Sequence, residues 1–301
     1  DLTGVGGRDG FFTRSDVARI VTYARARSVT VVPEIEMPGH VRALLAARPE
    51  LSCTGDKREV PRTWGVFDHV LCVADERTYA LVEDVLREVS AAFPSRWIHV
   101  GGDEVPTARW AACPKCSALA RRHGIGVDEL EPLFMQRVAA ILERLGRRMV
   151  VWDEALPRGP DARFPLPREA IVVAWQSQER GVLAARQGYD VIMAPHDRAY
   201  LNIRQSRAPG EPGHEGFLPW PKVRSFDPAP PDLLDEASRR RVLGGEGALW
   251  TEHVETPEQI ELMLMPRLAA LGEALWSGSA GAPDFAGRFQ AHLPQLDAAG
   301  V

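Results

Sequence analysis

The densest chemical signal in the sequence is the run His99-Val100-Gly101-Gly102-Asp103-Glu104, which continues the apolar stretch opened by Trp97 and Ile98. Two glycines directly after a buried strand let the backbone turn sharply and let a ligand approach closely. Both carboxylates of Asp103 and Glu104 can then reach one mouth, because strict up-and-down alternation lapses where a strand ends. Adjacent carboxyls in one site tend to titrate apart, one staying ionised while its neighbour keeps its proton. General-acid catalysis at a glycosidic oxygen requires that division of labour. The competing reading of any Asp-Glu pair is a solvated loop, and the apolar strand and paired glycines ahead of this one argue against it.

Comparable clusters close other apolar runs: Glu34–His40, Trp152–Glu154, Trp175–Gln176, Pro195–Asp197 and Trp250–Glu252. Trp152, Trp175 and Trp250 fit an aromatic wall against the apolar face of a sugar, with core packing as the alternative. Trp64, Trp97, Trp110 and Trp276 read as packing residues, and Trp220, in a long loop, as a candidate to reach over the site. Two rival functions stay open. One is a metal-dependent hydrolase ligated by His40, His99, Asp103 and Glu104, which loss of activity in EDTA would favour. Barrel metal sites usually want His-x-His spacing, and none occurs here. The other is a sugar-binding protein without turnover. Cys113-Pro114-Lys115-Cys116 has metal or redox spacing, and Cys53 with Cys72 could complete a tetrathiolate zinc site. Free thiols or disulfides are favoured over zinc for these four, none of them catalytic, so no metal and no cofactor is expected.

His99–Glu104 resembles the active-site signature of glycoside hydrolase family 20, the exo-acting β-N-acetylhexosaminidases. The resemblance extends through Val31-Val32-Pro33-Glu34-Ile35-Glu36-Met37-Pro38-Gly39-His40, Trp152-Asp153-Glu154, Trp175, Tyr200-Leu201-Asn202, Gly244-Gly245-Glu246 and Trp250-Thr251-Glu252, in the family's order. It implies a retaining enzyme releasing terminal β-linked N-acetylglucosamine or N-acetylgalactosamine, in which the substrate's own acetamido oxygen is the nucleophile. That is the substrate-assisted exception to the two-carboxylate scheme. Glu104 would then be the general acid and base, and Asp103 the anion beside the acetamido N–H. Trp152, Trp175 and Trp250 would wall the pocket, Tyr200 would bond the acetamido carbonyl, and Glu252 would accept from sugar hydroxyls. His40 and His99 would lie beneath the acid, with satisfied structural histidines as the competing reading. Asn202 stands where many members have aspartate and would face the sugar's C6 edge. The implied partner is a glycan or small-molecule substrate, with no nucleic acid and no membrane; oligomeric state is not legible.

The elements that must position these residues follow from periodicity. Val29–Ile35, Trp97–Val100, Met149–Trp152, Ile171–Trp175, Asp190–Ala194 and Val242–Trp250 are short, β-branched apolar runs. Helical periodicity separates them over Asp16–Ser28, capped by Ser15, and over Glu76–Phe93, Asp128–Leu145 and Glu179–Gln187; a last helix, Pro257–Trp276, follows a Thr256 cap. Strands apolar on both faces and alternating with helices mean a parallel sheet. Six strands each ending in site-like residues favour a TIM-type (β/α)8 barrel over a doubly wound sheet. With six strands counted, the first two are expected ahead of Asp1. The sugar-clamping arginine and further acid that the family draws from those strands then have no counterpart here. Residues 1–301 are expected to be one catalytic barrel domain, with Leu156–Arg168 and Ser206–Asp232 as long loops over its mouth.

Composition agrees. The 301 residues are 45% hydrophobic and 26% charged, enough apolar material for a sizeable core. A net charge of −5 without a basic run is not the electrostatic footprint of a nucleic-acid binder. Lys57, Lys115 and Lys222 are the only lysines among 36 basic residues, the coding bias of a GC-rich bacterial genome. The N-terminus does not report localisation, and a secreted or periplasmic setting is favoured over a cytoplasmic one.

Overall fold

A computed structural model of the chain describes residues 10–157, 162–278 and 283–300. The apolar runs form six strands: β1 (Glu34–Met37), β2 (Trp97–Gly101), β3 (Arg148–Trp152), β4 (Ile171–Ala174), β5 (Asp190–Met193) and β6 (Val242–Gly245). They follow one another through the sheet in chain order, and the pairs β1–β2, β2–β3 and β5–β6 are parallel. A doubly wound sheet reverses its order at a switch point, whereas a (β/α) barrel wall adds each strand beside the one before. The order is therefore that of six strands of a TIM-type barrel.

The chain divides into two compact units, with the boundary inside β4. The first carries α1 (Arg14–Arg25), α2 (Arg42–Ala47), α3 (Glu76–Ala92), α4 (Ala108–Ala112), α5 (Pro114–His123) and α6 (Leu130–Arg144) around β1–β3. Tyr79, Val82 and Leu86 of α3 and Phe134, Val138 and Ile141 of α6 bury the stripes their spacing predicts. Tyr79 and Phe134 meet at 5.5 Å between ring centroids.

The second unit carries α7 (Gln178–Arg186), α8 (His196–Ala199), α9 (Trp220–Arg224), α10 (Glu236–Arg239), α11 (Pro257–Leu264), α12 (Arg267–Ser277) and α13 (Phe285–Ala299). Its organising residue is Arg267, fully buried, with its guanidinium hydrogen-bonded to backbone carbonyls. It donates to those of Leu201 (2.6 Å), Ile203 (2.6 Å), Leu218 (3.2 Å) and Met263 (2.5 Å). Burial pulls its pKa down to about 10. It thereby satisfies the backbone of the segment that follows Tyr200, where no regular ladder is available.

Several boundaries differ from expectation. β1 begins at Glu34 rather than Val29, because Pro33 has no N–H for a ladder, and Val29 and Val32 are exposed. α1 is capped by Thr13, not Ser15, in a reciprocal capping box with Asp16, and Ile20 of its expected buried stripe is exposed. β6 ends at Gly245 rather than running to Trp250; only Ala248 beyond it makes a bridge, to Tyr200. The Thr256 cap is present with its capping box, but Pro266 splits the expected last helix into α11 and α12. Trp64 and Trp276 are 60% and 93% exposed rather than buried as packing residues, whereas Trp110 is fully buried. Of the expected loop Leu156–Arg168, residues 158–161 lie outside the described residues; Ser206–Asp232 contains α9 and no other helix. No helix among the described residues is long and apolar enough to cross a membrane.

Candidate active site

The parallel register of β1 on β2 sets Glu34 beside His99 and Met37 beside Gly101. It brings the end of each strand, where the polar residues fall, to the same edge. Gly101 and Gly102 both have positive φ, +73° and +94°. A side chain at Gly101 would occupy the place of the Glu36 carboxyl, its Cβ 2.0 Å from Oε2. One at Gly102 would strike Ala155 and Met135. The chain leaves β2 through this pair and delivers Asp103 and Glu104 on consecutive residues.

His40, at the matching turn after β1, bridges them. Its Nε2 lies 3.3 Å from Asp103 Oδ2 and 3.3 Å from Glu104 Oε2. His40 and Glu104 are also two of the few non-glycine residues in the left-handed region, at φ 51° and 49°. Such backbone persists only where its surroundings hold it. For Glu104 one restraint is Glu154, whose Oε1 accepts its backbone N–H at 3.2 Å. The hydrogen bond to Asp103 holds His40 above the ordinary histidine range, against burial, which pulls it down. Burial pushes Asp103 up, but hydrogen bonds from His40 and Glu36 and the His40 charge outweigh it, leaving the carboxyl below its usual range. Asp103 is thus held ionised, and it is the less exposed of the two, with 15% of its side chain exposed against 36% for Glu104.

Behind them lie carboxyls to which sequence reasoning gave no role. Burial and the neighbouring Glu34 and Asp103 push Glu36 up to about 11, so it is a neutral acid near pH 7. Counted as ionised, Glu36 Oε2 and Asp103 Oδ1 are buried acceptors that no donor among the described residues reaches. A proton on Glu36 supplies that donor. Trp152 Nε1 is shared between Glu34 Oε1 (3.1 Å) and Glu36 Oε1 (3.3 Å). Burial likewise pushes Glu154 up. Their only sequence signal was membership of the strand-end clusters.

His99 is buried, and its ring tilts against Trp152 at 4.6 Å. Its Nδ1 accepts the Gly101 N–H at 3.1 Å, and burial lowers its pKa, so the imidazole is neutral. The 3.6 Å approach of Glu34 to that nitrogen is therefore proximity rather than an ion pair. The four residues weighed as a metal set do not converge. His40, Asp103 and Glu104 form one group with ligand atoms within 4.8 Å, while His99 belongs to another with Glu34 and Glu36.

In the second unit, Trp175 stacks on Tyr200 at 6.0 Å and 27°, and His196 stands edge-on to both. His196 was not singled out from sequence. Asn202 is 5% exposed; its backbone carbonyl accepts from His214, and its Oδ1 meets no donor among the described residues. Trp250 and Glu252 are exposed beyond β6. Trp220 does not reach out of its loop as expected but packs on Phe285 at 4.8 Å.

A (β/α) chain that ends one strand in an ionised aspartate and an adjacent glutamate, bridged by a histidine, is of the barrel class with a carboxylate cluster at its strand ends. Comparison with known proteins narrows the class. Residues 5–279 match the model of glycosyl hydrolase family 20, catalytic domain, and the chain belongs to that family. It is 36% identical over 297 residues to a β-hexosaminidase of Porphyromonas gingivalis, covering 97% of this chain and 37% of that protein. To a β-hexosaminidase of Vibrio furnissii it is 37% identical, covering 87% of this chain and 43% of that one. The chain therefore spans well under half the length of these curated relatives. A solved exo-β-N-acetylglucosaminidase from Vibrio harveyi, in complex with N-acetylglucosamine, superposes with a TM-score of 0.86 at 32% identity. That superposition covers 97% of this chain and 46% of the solved one.

Proposed function

We propose that the protein is a retaining exo-β-N-acetylhexosaminidase acting on terminal β-linked N-acetylglucosamine or N-acetylgalactosamine. The observation that carries this reading is the pair Asp103 and Glu104: adjacent in sequence, unequal in burial, and bridged by His40 at 3.3 Å to each. In the first step the acetamido carbonyl oxygen bonds to the anomeric carbon. The glycosidic C–O bond breaks as Glu104 gives its proton to the leaving oxygen. Positive charge grows on the acetamido nitrogen, and Asp103, an acceptor held ionised, takes its N–H and balances that charge. In the second step the Glu104 carboxylate takes a proton from water, which adds to the anomeric carbon and reopens the ring with retention.

Hydrogen bonds from His40 and Glu36 keep Asp103 anionic, and the neutral His99 ring packs against Trp152. Trp152, Trp175, Tyr200, Asn202, Trp250 and Glu252 are proposed as sugar contacts on the resemblance of their sequence motifs to those of the family. The test is hydrolysis of 4-nitrophenyl N-acetyl-β-D-glucosaminide and its galacto epimer beside the plain β-D-glucoside. The acetamido sugars should turn over and the glucoside should not, since it has no internal nucleophile. Comparable turnover of the glucoside would overturn the mechanism.

A further inference from the structure

The four cysteines gather at one point of the first unit, although they come from three separate segments. Cys53 follows the turn after α2, Cys72 precedes α3, and Cys113 and Cys116 open α5. All four sulfurs lie within 4.8 Å of one another. Cys53 to Cys116 is 3.8 Å and Cys72 to Cys116 is 3.7 Å. For ~2.3 Å zinc–sulfur bonds at tetrahedral angles, ligand sulfurs stand about 3.8 Å apart. Disulfide sulfurs stand at about 2.05 Å, and a set of four in mutual contact is more than pairwise bridging needs.

Cys72, Cys113 and Cys116 are buried and Cys53 is half-buried, so the cluster is shut off from solvent on most sides, as a closed structural site is. Its surroundings suit a dianionic centre. Lys115 and Arg77 stand alongside, both bonded to Asp75.

We propose that Cys53, Cys72, Cys113 and Cys116 hold a structural zinc ion as a tetrathiolate. Loading is not a redox step: one Zn²⁺ enters, four S–H bonds break, and four protons leave. The ion closes the irregular segment 54–70, which contains no helix or strand. Its effect reaches the catalytic turns through the residues beside Cys72. Leu71 N–H donates to Pro38 O (3.0 Å), two residues before His40, and Cys72 N–H donates to Leu51 O (2.8 Å). The carbonyls of Leu71, Cys72 and Val73 are taken by Trp110 Nε1 (2.9 Å), Thr78 Oγ1 (2.9 Å) and the Tyr79 hydroxyl (2.7 Å). The zinc thus fastens the segment after β1, which carries His40, to the segment after β2, which carries Glu104.

The test is elemental analysis of the protein as purified, after dialysis against EDTA. The expected result is one zinc per chain, released by a mercurial thiol reagent in step with titration of four thiols. Cobalt exchanged for zinc should give thiolate-to-metal charge-transfer absorption and the intense visible bands of tetrahedral cobalt. Cys116→Ser should reduce zinc content at least tenfold, as loss of one thiolate ligand demands. If that variant does not fold, the cobalt spectrum of the wild type decides. The milder Cys53→Ser, at the half-exposed edge, should retain zinc less well against a chelator. Protein that binds no zinc after reduction and zinc reconstitution would overturn the proposal. So would disulfides by non-reducing intact mass, or zinc retained in full by Cys116→Ser.

Discussion

Asp103→Asn separates charge from shape at the centre of the site. The amide keeps the size of the carboxylate and one oxygen to accept an N–H, so substrate should still bind. It lacks the charge that the transition state calls for. An anion 3.3 Å from a cation, the His40 spacing, is worth ~5 kcal/mol at an effective dielectric of ~20. At the ~2.9 Å of an N–H···O contact, and with roughly half a unit of charge developed on the acetamido nitrogen, the loss is ~3 kcal/mol. That corresponds to about a hundredfold in kcat, at ~1.4 kcal/mol per factor of ten. KM should change far less, because ground-state amide and transition state differ in the charge. The assay is steady-state kinetics on 4-nitrophenyl N-acetyl-β-D-glucosaminide together with inhibition by a thiazoline shaped like the cyclised intermediate. The inhibitor, protonated on nitrogen, should lose affinity about as much as kcat falls. If Asp103→Asn binds the thiazoline as tightly as wild type, Asp103 does not oppose the developing charge and the assignment is wrong.

Glu104→Gln should lower kcat on chitobiose by roughly 10²–10⁴-fold, as for removal of a general acid, and slow the first step with a 4-nitrophenyl leaving group much less; equal losses on both substrates would remove Glu104 from that role. Glu36 predicts a pH signature. A carboxyl raised to about 11 in the folded chain releases its proton on unfolding, so its burial costs more stability as pH climbs from ~4.5 toward that value. Glu36→Gln, which mimics the protonated form, should therefore melt like wild type at about pH 4 and progressively above it by about pH 8–9. A Tm difference that does not change with pH would place the proton elsewhere. Arg267→Lys should cost roughly 3 kcal/mol or more in denaturant unfolding, because one ammonium cannot serve the carbonyls of Leu201, Ile203, Leu218 and Met263 at ~1–3 kcal/mol for each left unpaired; a cost under about 1 kcal/mol would contradict that account.

What the sequence made legible was local. The six strands, the helix over Glu76–Phe93 and the Thr256 cap come from periodicity and end signals within one element, and all appear, although β1 starts later and β6 ends earlier than expected. Asp103 and Glu104 were readable because the turn that presents them is written in the two glycines beside them. Glu36 was not. Its significance depends on register between β1 and β2, sixty residues apart, which seats its carboxyl where a side chain at Gly101 would be. The weighing of free thiol or disulfide over zinc had the same limit, since spacing shows Cys113 and Cys116 as a pair but cannot show that Cys53 and Cys72 join them. The errors at β1 and at the last helix trace to Pro33 and Pro266, whose missing N–H groups end elements that apolar periodicity alone would extend.

Much of the polar structure of the first unit holds the two turns that carry His40 and Glu104, and the backbone shows why. His40 and Glu104 each sit at positive φ, a conformation costing on the order of 1–3 kcal/mol for a side-chain-bearing residue, and they meet at 3.3 Å. Either residue would relax if its own turn were free. The His40 turn is tied at Pro38 O to Leu71, within the segment that the cysteines fasten, and the Glu104 turn is tied at its N–H to Glu154. Between the turns, Asp103 stays ionised because His40 donates to it and because a neutral Glu36 donates where a second anion would repel. A glutamate at the end of β1 is thus useful here for its proton rather than its charge. The geometry of Asp103 and Glu104 is consequently a property of contacts reaching from residue 34 to residue 154, and the dipeptide could not maintain it alone.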